Sequence, residues 1–152
     1  MRSGRRLAAA QFFQALPASL REALPARLRR FDARRTQGVI KFHYGHSETH
    51  YEAAWHHSGI ARIEVGLHFE GDRGLNAAAL EFFRARMVEV KGGLPLAELE
   101  PWDRGWARLY ETFPTPDLDT DAVAESTHRL AAYIVTLQPL LDHFWSEFDG
   151  PA

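Results

Sequence analysis

The stretch VIKFHYGHSETHYEAAWHHSGIARIEVGLHF, residues 39–69, decides the fold class. Its apolar residues recur at every second position: Ile40, Phe42 and Tyr44, then Tyr51, Ala53 and Trp55, then Ile63, Val65, Leu67 and Phe69. Between them stand Lys41, His43, His50, Glu52, His56, Arg62, Glu64 and His68, with Glu70 next along. A period of two is the signature of a strand with one buried and one polar face. Gly45-His46-Ser47 and Ser58-Gly59 supply turns. Residues 37–71 therefore read as a three-stranded antiparallel meander.

Parity sets the register, because a slip of one residue would turn an apolar face outward. Pairing His56 with Arg62 puts Trp55 opposite Ile63, Ala53 opposite Val65 and His50 opposite His68. A two-residue turn at His46-Ser47 puts Phe42 opposite Tyr51 and His43 opposite His50. His43, His50 and His68 then form one row, with Glu52, Glu64, Glu70, Lys41 and Arg62 around it. Neighbours in such a row stand about 5 Å apart. That spacing lets imidazoles converge on a divalent, zinc-like ion beside a carboxylate. It also suits an acid–base patch, since histidine titrates near neutrality. An ordinary polar sheet face, solvated or covered by a helix, has the same composition.

Helical periods lie on either side of the meander. Residues 1–36 read as a basic helical segment: 7–16, stopped by Pro17, then a short turn over 19–24, then 26–35 after Pro25. Leu75, Ala79, Phe82, Phe83, Met87 and Val90 mark a helix over 75–91, closed by Gly92-Gly93. Residues 95–101 read as a loop and 106–113 as a fourth strand. Val123, Leu130, Ile134, Leu137, Leu141, Phe144 and Phe148 keep one stripe along a helix over 119–148, with Pro139 inside it predicting a kink near Val135. The expected architecture is a single α+β domain over 1–152. An antiparallel sheet of three to four strands is packed by the mid-chain helix and the long kinked C-terminal helix, with the basic N-terminal helices at one edge. Ile63, Val65, Leu67, Phe69, Phe82, Met87, Leu130, Ile134 and Leu137 are the expected core.

At 152 residues and 45% apolar composition, the chain can bury a sizeable core without a metal or disulfide staple. It has no cysteine, which excludes thiolate metal sites and a cysteine nucleophile and suits a reducing cytoplasm. No apolar run approaches the roughly 20 residues of a membrane span, so no membrane partner is expected. Charge is uneven. Residues 1–35 hold nine arginines against Glu22 and Asp32, while the remainder holds 18 acids against nine bases. Arg5, Arg6, Arg27, Arg29, Arg30, Arg34 and Arg35 are candidate contacts for an anionic partner, protein or nucleic acid. They are equally able to lie on the acidic remainder of the chain.

Several motifs fail. Asp117, Asp119 and Asp121 start like a calcium loop, but Ala122 and His128 stand where glycine and glutamate are needed. Glu89-Val90-Lys91 with Asp72 upstream resembles the acidic signature of restriction-type nucleases, yet falls in a segment of helical period. His46 and His50 lack the intervening glutamate position of a zinc protease helix. Trp102 and Trp106 flank Asp103-Arg104 in a loop that either binds a ligand or folds onto the core.

Residues 61–144 resemble a bacterial domain family of unknown function found near restriction and other nuclease-like proteins. The likeness rests on the strand Ile63 to Phe69, the helix ending in Gly92-Gly93-Leu94, the Glu100-Pro101-Trp102 loop, the strand Ala107 to Tyr110 and the long final helix. It implies a bacterial cytoplasmic protein, an accessory domain in character, and supplies no catalytic residues. Two functions follow as expectations. The first is a binding or accessory module acting on protein or nucleic acid, with a second copy of the chain among the partners considered. The alternative is a metal-dependent enzyme using the His/Glu-rich sheet face, with a divalent ion as cofactor.

Overall fold

The computed structural model describes residues 4–148. It is α+β, with four helices and one antiparallel sheet of six strands in the order β1-β2-β3-β4-β6-β5. The meander is formed by β2 (Val39–His43), β3 (Thr49–His56) and β4 (Arg62–Phe69). Its register is the one parity requires: Phe42 faces Tyr51, Trp55 faces Ile63, and His50 faces His68.

The extra strands lie where the apolar period is silent. β1 (Asp32–Thr36) occupies the end of the stretch read as helix, and every residue in it is exposed. It forms through its backbone, pairing with β2 across a turn in which Gly38 takes φ +74°, a left-handed conformation that favours glycine. The helical part before it shrinks to a 3-10 turn, Ala26–Leu28. β5 (Glu98–Pro101), read from sequence as loop, adds to the far edge by pairing with β6 (Ala107–Pro114). β6 pairs with β4 along its whole length.

The helices depart from their predicted bounds for packing reasons. α1 (Ala9–Ala23) runs through Pro17 instead of stopping there. Its stripe Phe12, Phe13, Leu16 and Leu20 is buried against α4 (Thr120–Phe148). Burying a large apolar side chain contributes about 1.5–3 kcal/mol, so four of them outweigh the ~3 kcal/mol that an internal proline costs. The mid-chain helix is two helices, α2 (Arg73–Arg84) and α3 (Met87–Gly93). At the break Arg86 donates to the Phe82 carbonyl and lies over the Phe82 ring. α4 continues through Pro139, with Val135, whose carbonyl the proline leaves without a donor, on an exposed side.

α2 and α4 pack on the apolar face of the sheet. Phe83 of α2 stacks on Phe69, and Gln138 of α4 accepts a hydrogen bond from the Tyr51 hydroxyl. Of the expected core, Phe82 and Met87 are only partly buried, and the other seven residues are fully inside. Among the described residues, no helix is long and apolar enough to cross a membrane.

Candidate metal centre

The polar face of the sheet is buried at its middle: His50 is 3% exposed, Glu52 7%, Glu64 3% and His68 2%. Among the described residues, no helix side chain hydrogen-bonds to these four. β3 carries His50 and Glu52, β4 carries Glu64 and His68, and Glu70 follows β4 directly. Gly66, between Glu64 and His68 on the same face, lets β4 and β6 close up. A Cβ there would meet the Leu109 carbonyl oxygen at 2.5 Å and Tyr110 Cα at 2.7 Å.

One ligand atom from each of His50, Glu52, His68 and Glu70 lies within 4.8 Å of the other three. His50 Nε2 is 2.9 Å from Glu52 Oε1 and 3.8 Å from Glu70 Oε2. His68 Nδ1 is 3.5 Å from Glu52 Oε1 and 3.2 Å from Glu70 Oε2. Ligands sharing an ion at about 2.0–2.2 Å stand about 3–3.5 Å apart; the four contacts, two of them hydrogen bonds between ring and carboxylate, fall around that spacing.

The remaining ring nitrogens are tied down. His50 Nδ1 is 3.0 Å from the Ser47 carbonyl, which can only accept, so Nδ1 carries the proton and Nε2 faces the carboxylates. His68 Nε2 is 2.7 Å from Glu64 Oε2. Burial alone would lower the His68 pKa. The hydrogen bonds to Glu64 and Glu70, with the charges of Glu52 and Glu64, outweigh burial and push it up to about 9. Burial likewise works to raise the Glu64 carboxyl, but His68, Arg108 and His56 hold it below its ordinary value. Glu70 is lowered against its own burial by His68, His50 and Lys41.

Lys41 reaches Glu70 at 3.4 Å. His43 stands outside the group. The β2–β3 ladder ends at Phe42 and Tyr51, residues 44–48 turn away with Gly45 at φ +108°, and His43 faces Asp32 on β1. Its Nδ1 accepts from the Gly45 amide and lies 3.9 Å from Asp32 Oδ2. Arg62 lines a second hollow on the same face with Glu64, Arg108 and Tyr110.

Arg108 of β6 completes the site and was not singled out from sequence. Its guanidinium bonds Glu64 and Glu100, and lies 4.0 Å from the Trp102 ring centre and 3.9 Å from that of Tyr110. Trp102 in turn meets His68 edge-on, so its loop folds over the polar face and not onto the core. Parity in 106–113 put Tyr110 on the side where Arg108 also falls, but nothing in the pattern paired that strand with β4. A cleft of about 450 Å³ opens beside the four-residue group, lined by Arg34, Thr36, Lys41, His43, Ser47, Glu48, His50 and Glu70.

The other motifs are structural. Asp72 caps α2 by accepting from the Leu75 amide, and Glu89 and Lys91 are exposed on α3. Asp119 caps α4 through the Ala122 amide. Residues 117–121 also hold the N-terminal arm. Arg6 pairs with Asp117 at 2.7 Å, the Gly4 amide donates to Asp121, and the Arg5 amide donates to the Thr120 hydroxyl. The arm is thus tied to residues 117–121 by the Arg5 backbone and the Arg6 guanidinium, while all seven candidate arginines, Arg5, Arg6, Arg27, Arg29, Arg30, Arg34 and Arg35, are exposed. Arg2 lies outside the described residues. Compared with known protein families, curated proteins and solved structures, the chain matches none.

Proposed function

We propose that the polar sheet face is a divalent-metal centre, held by His50, Glu52, His68 and Glu70, in a metal-dependent hydrolytic enzyme. The observation that carries this reading is the set of four ligand-to-ligand distances between 2.9 and 3.8 Å, joined to outer nitrogens already engaged by Ser47 and Glu64. Histidines that bind metals commonly have their second nitrogen fixed this way, which orients the ring and sets the tautomer. Two imidazoles with two carboxylates suit zinc, iron(II) or manganese(II) better than calcium, which takes an all-oxygen shell.

Catalysis is favoured over a structural ion for two reasons. The core is continuous and large, so the fold needs no ion as a staple. The cleft reaches the group at His50 and Glu70, which gives a substrate and water a way in. A bound ion there would lower the pKa of its water toward neutrality and polarise the bond under attack. Lys41 and Arg34 on the cleft wall favour an anionic substrate.

Elemental analysis of tag-free, native-purified protein tests the proposal, with the His50→Ala/His68→Ala double variant beside it and circular dichroism confirming that both fold. One transition ion per chain, lost in the variant, is the expected result. No ion in the native protein, together with no calorimetric uptake of zinc or manganese, would reduce the four side chains to a buried ion-pair network.

A further inference from the structure

We infer that the arginine strip along the β1 edge of the sheet binds the phosphate backbone of a nucleic acid. It comprises Arg27 of the 3-10 turn, Arg29 and Arg30 just after it, and Arg34 and Arg35 of β1, with Asp32 the one acid among residues 26–36. All five arginines are exposed. Among the described residues, the side chains of Arg27, Arg30 and Arg34 have no hydrogen-bond or ion-pair partner. Arg29 and Arg35 reach only backbone carbonyls, of Leu24 and Ala10. The tertiary structure adds a sixth cation, since Arg21 of α1 lies 4.5 Å over the Phe31 ring. Leu28 and Phe31 are buried beneath the strip and hold its backbone in place.

The chain as a whole carries a net charge of −2, so an unneutralised basic band is not a by-product of composition. Charged residues on an edge strand also guard against pairing with other sheets. That accounts for Arg34 and Arg35 but not for Arg27, Arg29 and Arg30, which lie off the strand. The partner's chemistry follows from the side chains. The band is all arginine with no lysine, and the planar guanidinium takes two oxygens of one phosphate at once. A phosphodiester backbone offers such groups at regular intervals, and the exposed guanidiniums follow one stretch of chain from the 3-10 turn into β1, with Arg34 on the polar side of the sheet and Arg35 on the α1 side. An acidic protein surface presents carboxylates without that repeat. Arg34 also lines the cleft beside the metal-ligating group, so a strand on the strip passes the cleft mouth. The binding itself does not depend on the metal reading.

Fluorescence anisotropy with a labelled 20-nucleotide single strand and the matching duplex, in EDTA, tests the inference. Four or so phosphate contacts predict an affinity that falls about a hundredfold between 50 and 200 mM salt. The Arg27→Ser/Arg30→Ser/Arg34→Ser variant, all at exposed positions, is expected to lose most of the binding and to flatten the salt slope by about three. The His50→Ala/His68→Ala variant is expected to bind as the native protein does. Absence of salt-dependent binding to DNA and RNA at 50 mM salt overturns the inference, as does binding that survives the triple variant. Tighter binding of polyglutamate than of either oligonucleotide overturns it too, in favour of an acidic protein partner. A native protein that holds its metal yet fails these assays leaves the metal centre standing.

Discussion

Glu64 touches the proposed centre without being one of its ligands. Its Oε2 accepts from His68 Nε2 at 2.7 Å, while its Oε1 accepts from Arg108 at 2.8 Å and faces His56 at 3.3 Å. The carboxylate therefore fixes which His68 nitrogen is left to bind an ion. Glu64→Gln keeps the shape of the side chain but removes the charge that holds that tautomer. The expected outcome is a 10–100-fold weaker metal affinity with the stoichiometry unchanged, read by isothermal titration with zinc. An affinity equal to the native one would show that His68 is oriented by its strand alone. His43 makes the opposite point at the same scale. It belongs to the polar parity, but its ladder stops one residue short and its ring turns to Asp32.

Among the elements, α1 has the sharpest conflict between local preference and packing. Pro17 has no amide proton to give the Phe13 carbonyl, yet the helix continues because Phe12, Phe13, Leu16 and Leu20 are buried on α4. Pro17→Ala restores the missing donor while leaving the buried stripe intact. It is expected to stabilise the protein by about 1–3 kcal/mol, within the cost of an internal proline, as a rise in the midpoint of urea unfolding with an unchanged slope. A lower midpoint would mean that the Pro17 ring itself supports the α1–α4 contact. β1 and β5 are the complementary case. Both are edge strands whose pairing is decided by backbone hydrogen bonds to a neighbour, so their own side chains carry little sign of it.

Over the whole molecule, three tyrosines link stability to alkaline pH. Burial pushes the Tyr44 phenol up to about 12, and its hydroxyl donates to the Leu28 carbonyl at 2.6 Å. Burial also raises Tyr51 and Tyr133, aided by the charges of Asp142 and Glu111. A phenol in the unfolded chain ionises near pH 10. Above that pH the unfolded state binds fewer protons than the folded one, so stability falls as pH rises. Tyr44 contributes fully below pH 10 and loses its contribution as the pH passes 12. Thermal unfolding is expected to shift to lower temperature across that window, and less steeply in Tyr44→Phe. Parallel curves for the two proteins would remove Tyr44 from the account.

What the sequence determined by itself is the part governed by local period and parity. Alternation in residues 39–69 set three strands, their register and the pairing of His50 with His68, because an inverted face would expose Ile63, Val65 and Leu67. The stripe from Leu130 to Phe144 set α4 for the same reason. Tertiary structure decided whatever depended on distant partners. It paired β6 with β4 and so brought Arg108 to Glu64, folded Trp102 over His68, and buried a polar face that local composition cannot distinguish from a solvated one. It also divided the basic segment, pairing Arg6 with Asp117 while Arg27, Arg30 and Arg34 have no ion-pair partner among the described residues. Charge counts along a chain cannot make that division, because electrostatic neutralisation acts through space.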